Sequence, residues 1–366
     1  MKICQITPYF YPVLGGVETV VEQYARNLTR LNHEVTILTS VEEIRKKIEF
    51  DVIEFKQFAH LKGSYMPISF DFLAKLGSIK ADIYHLHANK RFITDIGAAY
   101  LKSKKKKFVF SPHAGQFGTS FLGKLHNAIL GPLSFSADLV VCVSEFEKQL
   151  IESNGIRLKK VSVLPNGVDL AEFKNLQKGF FTSYGWKDNQ VIMYAGRLTE
   201  HKKIDTLIYA FNALNTRDNL RLAIIGPDGG ERTKLEKLIR ELELENKVKF
   251  FGTISRENLL NAYSSADVFC LPSVSEAFGL VLIEAMAAGT AVIGADKCSI
   301  PEIIKDNKNG LLFDGTAEDL TEKIKYLLEN KKVAGTLSAQ ALHDVREQYD
   351  WLKIVDRLSC LYQDII

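Results

Sequence analysis

Apolar positions along this chain follow two rhythms. Short apolar runs at 2–7, 35–39, 83–86, 108–110, 139–143 and 161–164 read as strands. Between the first two, Val17, Val20, Val21, Tyr24, Ala25, Leu28 and Leu31 recur at the spacing of an amphipathic helix. Strand, helix and strand within about forty residues make a βαβ unit, the building block of parallel sheets. The second half repeats the architecture without repeating the sequence. Runs at 191–194, 222–225, 248–251, 268–271 and 291–293 alternate with helical stretches at 204–214, 235–244, 258–264 and 280–287. The pattern predicts an α/β protein of two Rossmann-like domains facing each other across a cleft at the carboxyl ends of their strands. The expected domains are 1–168 and 169–350, parted by the polar stretch after Pro165-Asn166-Gly167. A last helix over 351–366 is expected to return to the first domain.

Composition narrows the class. The 366 residues are 46% hydrophobic and 25% charged, the balance of a soluble globular protein. A net charge of +3 is too mild to imply nucleic acid. No segment approaches the roughly 18 uncharged apolar residues of a spanning helix. Residues 1–11 alternate and reach Pro8 early, which leaves no room for a signal-peptide core. The five cysteines are far apart, so no CxxC pair and no metal spacing exists. Cys4, Cys142 and Cys270 lie inside apolar runs, as reduced core cysteines do. These features predict a cytoplasmic protein.

Four local patterns carry chemistry. Gly15-Gly16 opens the first helix, where backbone N–H groups can approach an anion; it lacks the G-x-G-x-x-G spacing of a dinucleotide site. Gly196-Arg197, followed by Lys202-Lys203, leaves a central strand and offers a guanidinium fork and an ammonium to a diphosphate. The run from Ser273 to Met286 places Glu276 in a loop, Gly279 and Leu280 at a helix start, and Glu284 on an otherwise apolar helix. A carboxylate in that setting needs a partner, and sugar or ribose hydroxyls would serve. The N–H groups near Gly279 can face a phosphate. The fourth pattern, Ser111-Pro112-His113, presents a histidine at a strand end, while His85 and His87 share one strand face and read as structural.

Taken together, Gly15-Gly16-Val17-Glu18, Ser111-Pro112-His113, Pro165-Asn166-Gly167-Val168-Asp169, Gly196-Arg197 with Lys202, and Glu276 with Glu284 resemble the retaining glycosyltransferases of family 4, which are similar to the glycosyl transferases of group 1. The order and spacing match along nearly the whole chain, most specifically in the two glutamates flanking Phe278-Gly279. The resemblance implies a GT-B fold and transfer of a hexosyl unit, with retention, from a nucleotide-diphosphate sugar. It implies neither a cofactor nor a catalytic metal. Arg197 and Lys202 would hold the diphosphate, with backbone help at Gly15, Gly16, Gly279 and Leu280. Glu284 would bind the ribose, Glu276 the sugar hydroxyls, and His113 would lie against the sugar near the reacting carbon. Lys203 departs from the family's usual glycine at that position.

A glycan or lipid-linked acceptor is expected. Lys102 and Lys104 to Lys107, followed by an apolar stripe from Phe117 to Leu130, suggest contact with an anionic membrane surface at its inner face. Base recognition is expected near Phe251-Gly252-Thr253. Two other readings compete. A nucleotide-sugar epimerase on the same fold would carry further carboxylates as acid and base, and no clear pair is present. A non-catalytic nucleotide-binding protein fits poorly with a complete set of Arg197, Lys202, Glu276 and Glu284.

Overall fold

The computed structural model describes residues 1–10, 15–40, 49–56, 69–88, 92–115, 131–215 and 217–366. They form two compact units, Met1–Asn166 with Trp351–Ile366, and Gly167–Asp350. The apolar stripe expected between Phe117 and Leu130 lies outside the described residues.

The first unit is built on seven strands: β1 (Lys2–Ile6), β2 (Glu34–Thr39), β3 (Asp51–Glu54), β4 (Ile83–His87), β5 (Phe108–Ser111), β6 (Leu139–Cys142) and β7 (Val161–Val163). Their order is β3-β2-β1-β4-β5-β6-β7, with every neighbouring pair parallel. The direction of succession reverses between β1 and β4, the point at which such sheets place their ligands. Central strands covered on both faces read as continuous apolar runs, and β6 does so, as does β5 up to its last residue, Ser111. β1 and β4 break the rule with Gln5, His85 and His87, all fully buried. The helix Gly16–Arg30 sinks Val20, Val21, Tyr24, Ala25 and Leu28 into the core. The terminal helix Trp351–Gln363 packs beside it. Trp351 meets the Tyr24 ring edge-on at 5.6 Å, and Ser359 hydrogen-bonds His33 at 2.8 Å.

The second unit repeats the plan with β8 (Gln190–Ala195), β9 (Leu220–Ile225), β10 (Val248–Gly252), β11 (Val268–Leu271), β12 (Ala291–Ala295) and β13 (Leu311–Phe313). Their order is β10-β9-β8-β11-β12-β13, again parallel throughout, with the reversal between β8 and β11. The chain enters and leaves this unit side by side: Val168 donates to the Tyr349 carbonyl at 2.8 Å and bridges Asp350. Asp169 then caps a short 3₁₀ helix, Leu170–Phe173, through the Ala171 N–H.

The five cysteines are free, and burial pushes the thiols of Cys4, Cys142 and Cys270 well up. Among the described residues no helix is long and apolar enough to cross a membrane.

Candidate active site

In the second unit the candidate residues gather at the carboxyl ends of β8 and β11, the two strands flanking the reversal. The β8–β9 ladder runs on past both strands, because Gly196 donates to Ile225 and Leu198 to Pro227. This close approach requires Gly226, whose φ is +137° and whose Cβ would strike the Gly196 carbonyl. The Tyr194 hydroxyl donates to the Arg197 carbonyl at 3.1 Å and holds the turn. The Arg197 side chain is exposed, with no hydrogen-bond or ion-pair partner among the described residues.

Lys202 ends a short 3₁₀ turn, Glu200–Lys202. The turn is stitched to the loop after β11: Val274 N–H donates to the His201 carbonyl at 2.9 Å, and Ser273 Oγ at 3.3 Å. Ser299 Oγ bonds the carbonyls of Glu276 and Phe278 from the other side. The outcome is an ion pair between Lys202 Nζ and Glu276 Oε1, with the two side chains 17% and 12% exposed. Lysine and glutamate, expected on different parts of a donor, thus hold each other. Lys203, where the family usually has glycine, adopts φ 50° and ψ 42°. The left-handed turn that glycine takes without strain is kept, at a cost of about 1 kcal/mol, and a second positive charge is added.

Gly279 precedes the helix Leu280–Ala287 in a left-handed conformation (φ +105°) and supplies no side-chain cap. The first N–H groups of a helix lack intrahelical partners, so the start at Leu280 is open to an anion. Glu284, in the same helix, is 8% exposed. It was expected to depend on ribose or sugar hydroxyls for a partner. Instead it is already satisfied: Arg256 Nη1 lies 2.5 Å from Oε1 and the Tyr263 hydroxyl donates to Oε2 at 3.1 Å. Arg256 also reaches Glu172 at 2.8 Å, forming a Glu172–Arg256–Glu284 bridge. Burial and the Glu284 charge hold the Tyr263 phenol well above its usual range, so it stays a donor. Arg256 escaped the sequence reading, although it opens a helix a few residues beyond the end of β10, where strand-end residues earn scrutiny.

In the expected base region, Phe251 is enclosed by the rings of Phe180, Phe181, Tyr184 and Trp186, 4.9 to 5.9 Å away. Its side chain is committed to packing, while Thr253 beside it is exposed.

In the first unit, Gly15 ends the loop after β1 and leaves the helix Gly16–Arg30 without a side-chain cap. The space beside Gly15 is taken by the Glu18 carboxylate. His113 follows β5, half-buried, at φ 51°. A non-glycine residue held there carries local strain, of the kind that gathers at functional positions. The Glu147 carboxylate anchors the turn, accepting the Ala114 N–H and, at 2.7 Å, the Val143 N–H. Glu147 is fully buried, and burial lifts its carboxyl to about 7 against the pull of those two bonds. Burial lowers the His113 imidazole to about 4, so it is neutral near pH 7. His113 Nε2 lies 3.1 Å from His87 Nδ1.

Residues 14–172 match the family described as Glycosyltransferase Family 4, and residues 179–344 match Glycosyl transferases group 1. The chain is a group 1/family 4 glycosyltransferase. An uncharacterized glycosyltransferase of Methanocaldococcus jannaschii is 29% identical over 99% of this chain and 98% of its own length. One component of the human phosphatidylinositol N-acetylglucosaminyltransferase is 25% identical over 100% of this chain and 76% of its own. Among solved structures, Anabaena HepE in complex with UDP and glucose superposes with a TM-score of 0.86 at 20% identity, each chain covered in full. Such neighbours establish the GT-B fold for this glycosyltransferase, with the same α/β sheet plan in each half.

Proposed function

We propose that this glycosyltransferase moves a hexosyl unit, with retention at the anomeric carbon and without a metal ion, from a nucleotide-diphosphate sugar to a lipid-linked or glycan acceptor. The observation that carries the reading is the state of the cations beside the reversal of the second sheet. Arg197 is exposed and has no partner among the described residues, and Lys202 is held beside Glu276. A diphosphate arriving there meets two positive charges, and Glu276 is released to sugar hydroxyls as Lys202 turns to phosphate. Glu284 takes the ribose, and the backbone at Leu280, Gly15 and Gly16 assists the phosphates. His113 is proposed to contact the transferred sugar. UDP and glucose bound to Anabaena HepE support UDP-glucose as the first donor to test. The phosphatidylinositol in the human relative's name supports a lipid-linked acceptor.

The charge that grows on the leaving diphosphate must be stabilised by fixed positive groups, and Arg197 and Lys202 supply them. Turnover is therefore expected to persist in EDTA. The test is nucleoside diphosphate release from a panel of nucleotide sugars, each with and without chelator. Loss on chelation, restored by magnesium or manganese, would overturn the metal-free assignment. Release of free nucleotide with an epimerised sugar in place of a glycoside would favour the epimerase, and no release from any donor would favour a binding protein.

Work at the cytoplasmic face of a membrane is part of the same proposal. Lys102 and Lys104 to Lys107 are all exposed, and only Lys107 has an acidic partner among the described residues, Asp138 at 3.1 Å. The run precedes β5, whereas His113 follows it, so Lys107 and His113 lie at opposite ends of that strand. Binding to anionic vesicles should fall as salt rises, and fall further when Lys104 to Lys107 become Ser. Equal pelleting with neutral and anionic vesicles would remove the electrostatic attraction.

A further inference from the structure

Behind His113 lies an unbroken chain of buried hydrogen bonds. His113 Nε2 meets His87 Nδ1 at 3.1 Å, and His87 Nε2 meets Gln5 Oε1 at 2.6 Å. Gln5 Nε2 reaches the Tyr362 hydroxyl at 3.3 Å, that hydroxyl meets His85 Nδ1 at 2.6 Å, and His85 Nε2 meets Ser111 Oγ at 2.8 Å. Gln5, His85, His87, Ser111 and Tyr362 are fully buried, and Tyr24 lies against both inner imidazoles, 5.9 and 6.0 Å between ring centroids. Burial holds both inner imidazoles well below their usual range, so each carries one proton.

One proton per ring makes the chain directional, and it can run either way as a whole. Its direction is fixed by which end of the Gln5 amide faces His87. A contact of 2.6 Å suits an imidazole N–H meeting a carbonyl oxygen and is too short for an amide nitrogen meeting an imidazole nitrogen. Gln5 Oε1 therefore faces His87, and every other proton follows. His87 carries its proton on Nε2, which leaves Nδ1 as an acceptor. His113 must then donate from Nε2. At the far end Tyr362 accepts from Gln5 and donates to His85 Nδ1, and His85 donates to Ser111. The His87 and His113 rings lie within 15° of parallel, with centroids 5.4 Å apart. That edge-to-edge placement aims the His113 N–H along the ring plane at the His87 lone pair.

We infer that His87, backed by Gln5 and Tyr362, is a positioning residue that locks His113 as its Nε2–H tautomer and leaves the Nδ1 lone pair to receive a substrate hydroxyl or amide N–H. The inference rests on the proposed contact between His113 and the transferred sugar. His113 then acts as a hydrogen-bond acceptor and not as an acid, and it discriminates by chemistry. A hydroxyl or N-acetyl N–H is welcomed at that point. A carboxylate or phosphate, which brings no proton, meets an opposing lone pair.

Long-range proton–nitrogen NMR of the full chain labelled at histidine reads the tautomer directly. His113→Gln identifies the His113 signals by their loss. The expected spectrum shows His113 protonated at Nε2 and bare at Nδ1. His87→Phe removes the acceptor and should give a mixture of tautomers, with turnover reduced about tenfold to a hundredfold, as loss of an outer hydrogen-bond partner does elsewhere. His87→Asn, whose amide oxygen occupies nearly the Nδ1 position, should restore the Nε2–H form. A wild-type spectrum with the His113 proton on Nδ1 would overturn the inference whatever the His87 variants show. So would an unchanged His113 tautomer in folded His87→Phe. The sugar contact fails separately: a His113→Ala enzyme with wild-type turnover would remove it and leave the tautomer assignment standing.

Discussion

Arg197→Ala will lower kcat by roughly 10²–10³, the loss seen when one preorganised charge stabiliser is removed from an active site. Negative charge on the leaving diphosphate grows as the glycosidic bond breaks, so its clamp matters most at that moment. The structure makes this a clean substitution. The guanidinium is exposed, so its removal opens no cavity, and among the described residues it breaks no ion pair. Lys202→Ala is less clean, because it strands the Glu276 carboxylate, 12% exposed, without its cation. The measurement is turnover at saturating donor, with circular dichroism to confirm the fold. Folded Arg197→Ala that turns over at the wild-type rate would show that Arg197 does not hold the leaving group.

Glu284→Gln will instead weaken nucleotide binding, raising Kd for the nucleoside diphosphate by roughly ten- to a hundredfold. One hydrogen bond to a charged group contributes about 1.5–3 kcal/mol. The ribose is held equally before and during bond breaking, so kcat at saturating donor should change little. The Arg256 and Tyr263 contacts add a structural component, since each loses a charged partner in this variant. Tyr263→Phe separates the two effects. It removes the inner hydrogen bond and spares the carboxylate, so its Kd should stay near the wild-type value. Isothermal titration with UDP reads both variants. Unchanged affinity in Glu284→Gln would dismiss the ribose contact, and equal losses in both would assign Glu284 to packing.

The α/β class was legible because the buried central strands leave long apolar runs and the helices between them keep their period. The edges were not. β3 reads Asp-Val-Ile-Glu and is largely half-buried, and β13 is three residues long, so neither leaves a distinctive pattern. Among the candidate residues, the sequence exposed those at strand ends, where position itself is a signal. Their partners were hidden. Nothing local announces that Lys202 will find Glu276 or that Arg256 will bridge Glu172 and Glu284, because sheet order creates those neighbours. His85 and His87 were visible as an alternating pair on one face. Their chemistry depends on Gln5 and Tyr362, which enter from near opposite ends of the chain. Two buried imidazoles with unknown partners look like core, and only the assembled network shows what they orient.

Tyr362 also sets an order of events during synthesis. Gln5 and His85 stand on β1 and β4 of one sheet within residues 1–166, and the hydroxyl that joins them is translated after the whole second unit. A first unit assembled before that point keeps the Gln5–His87 and His85–Ser111 contacts and leaves Gln5 Nε2 and His85 Nδ1 without the partner Tyr362 supplies, at about 1–3 kcal/mol for each buried group left unmet. The flank of Tyr24 that Trp351 will cover stays open for the same interval. The second unit, Gly167–Asp350, is one continuous segment, whereas the first is completed only by Trp351–Ile366, so the second can close first. Translation runs from the first unit to the last helix, and completion of the fold runs partly in reverse.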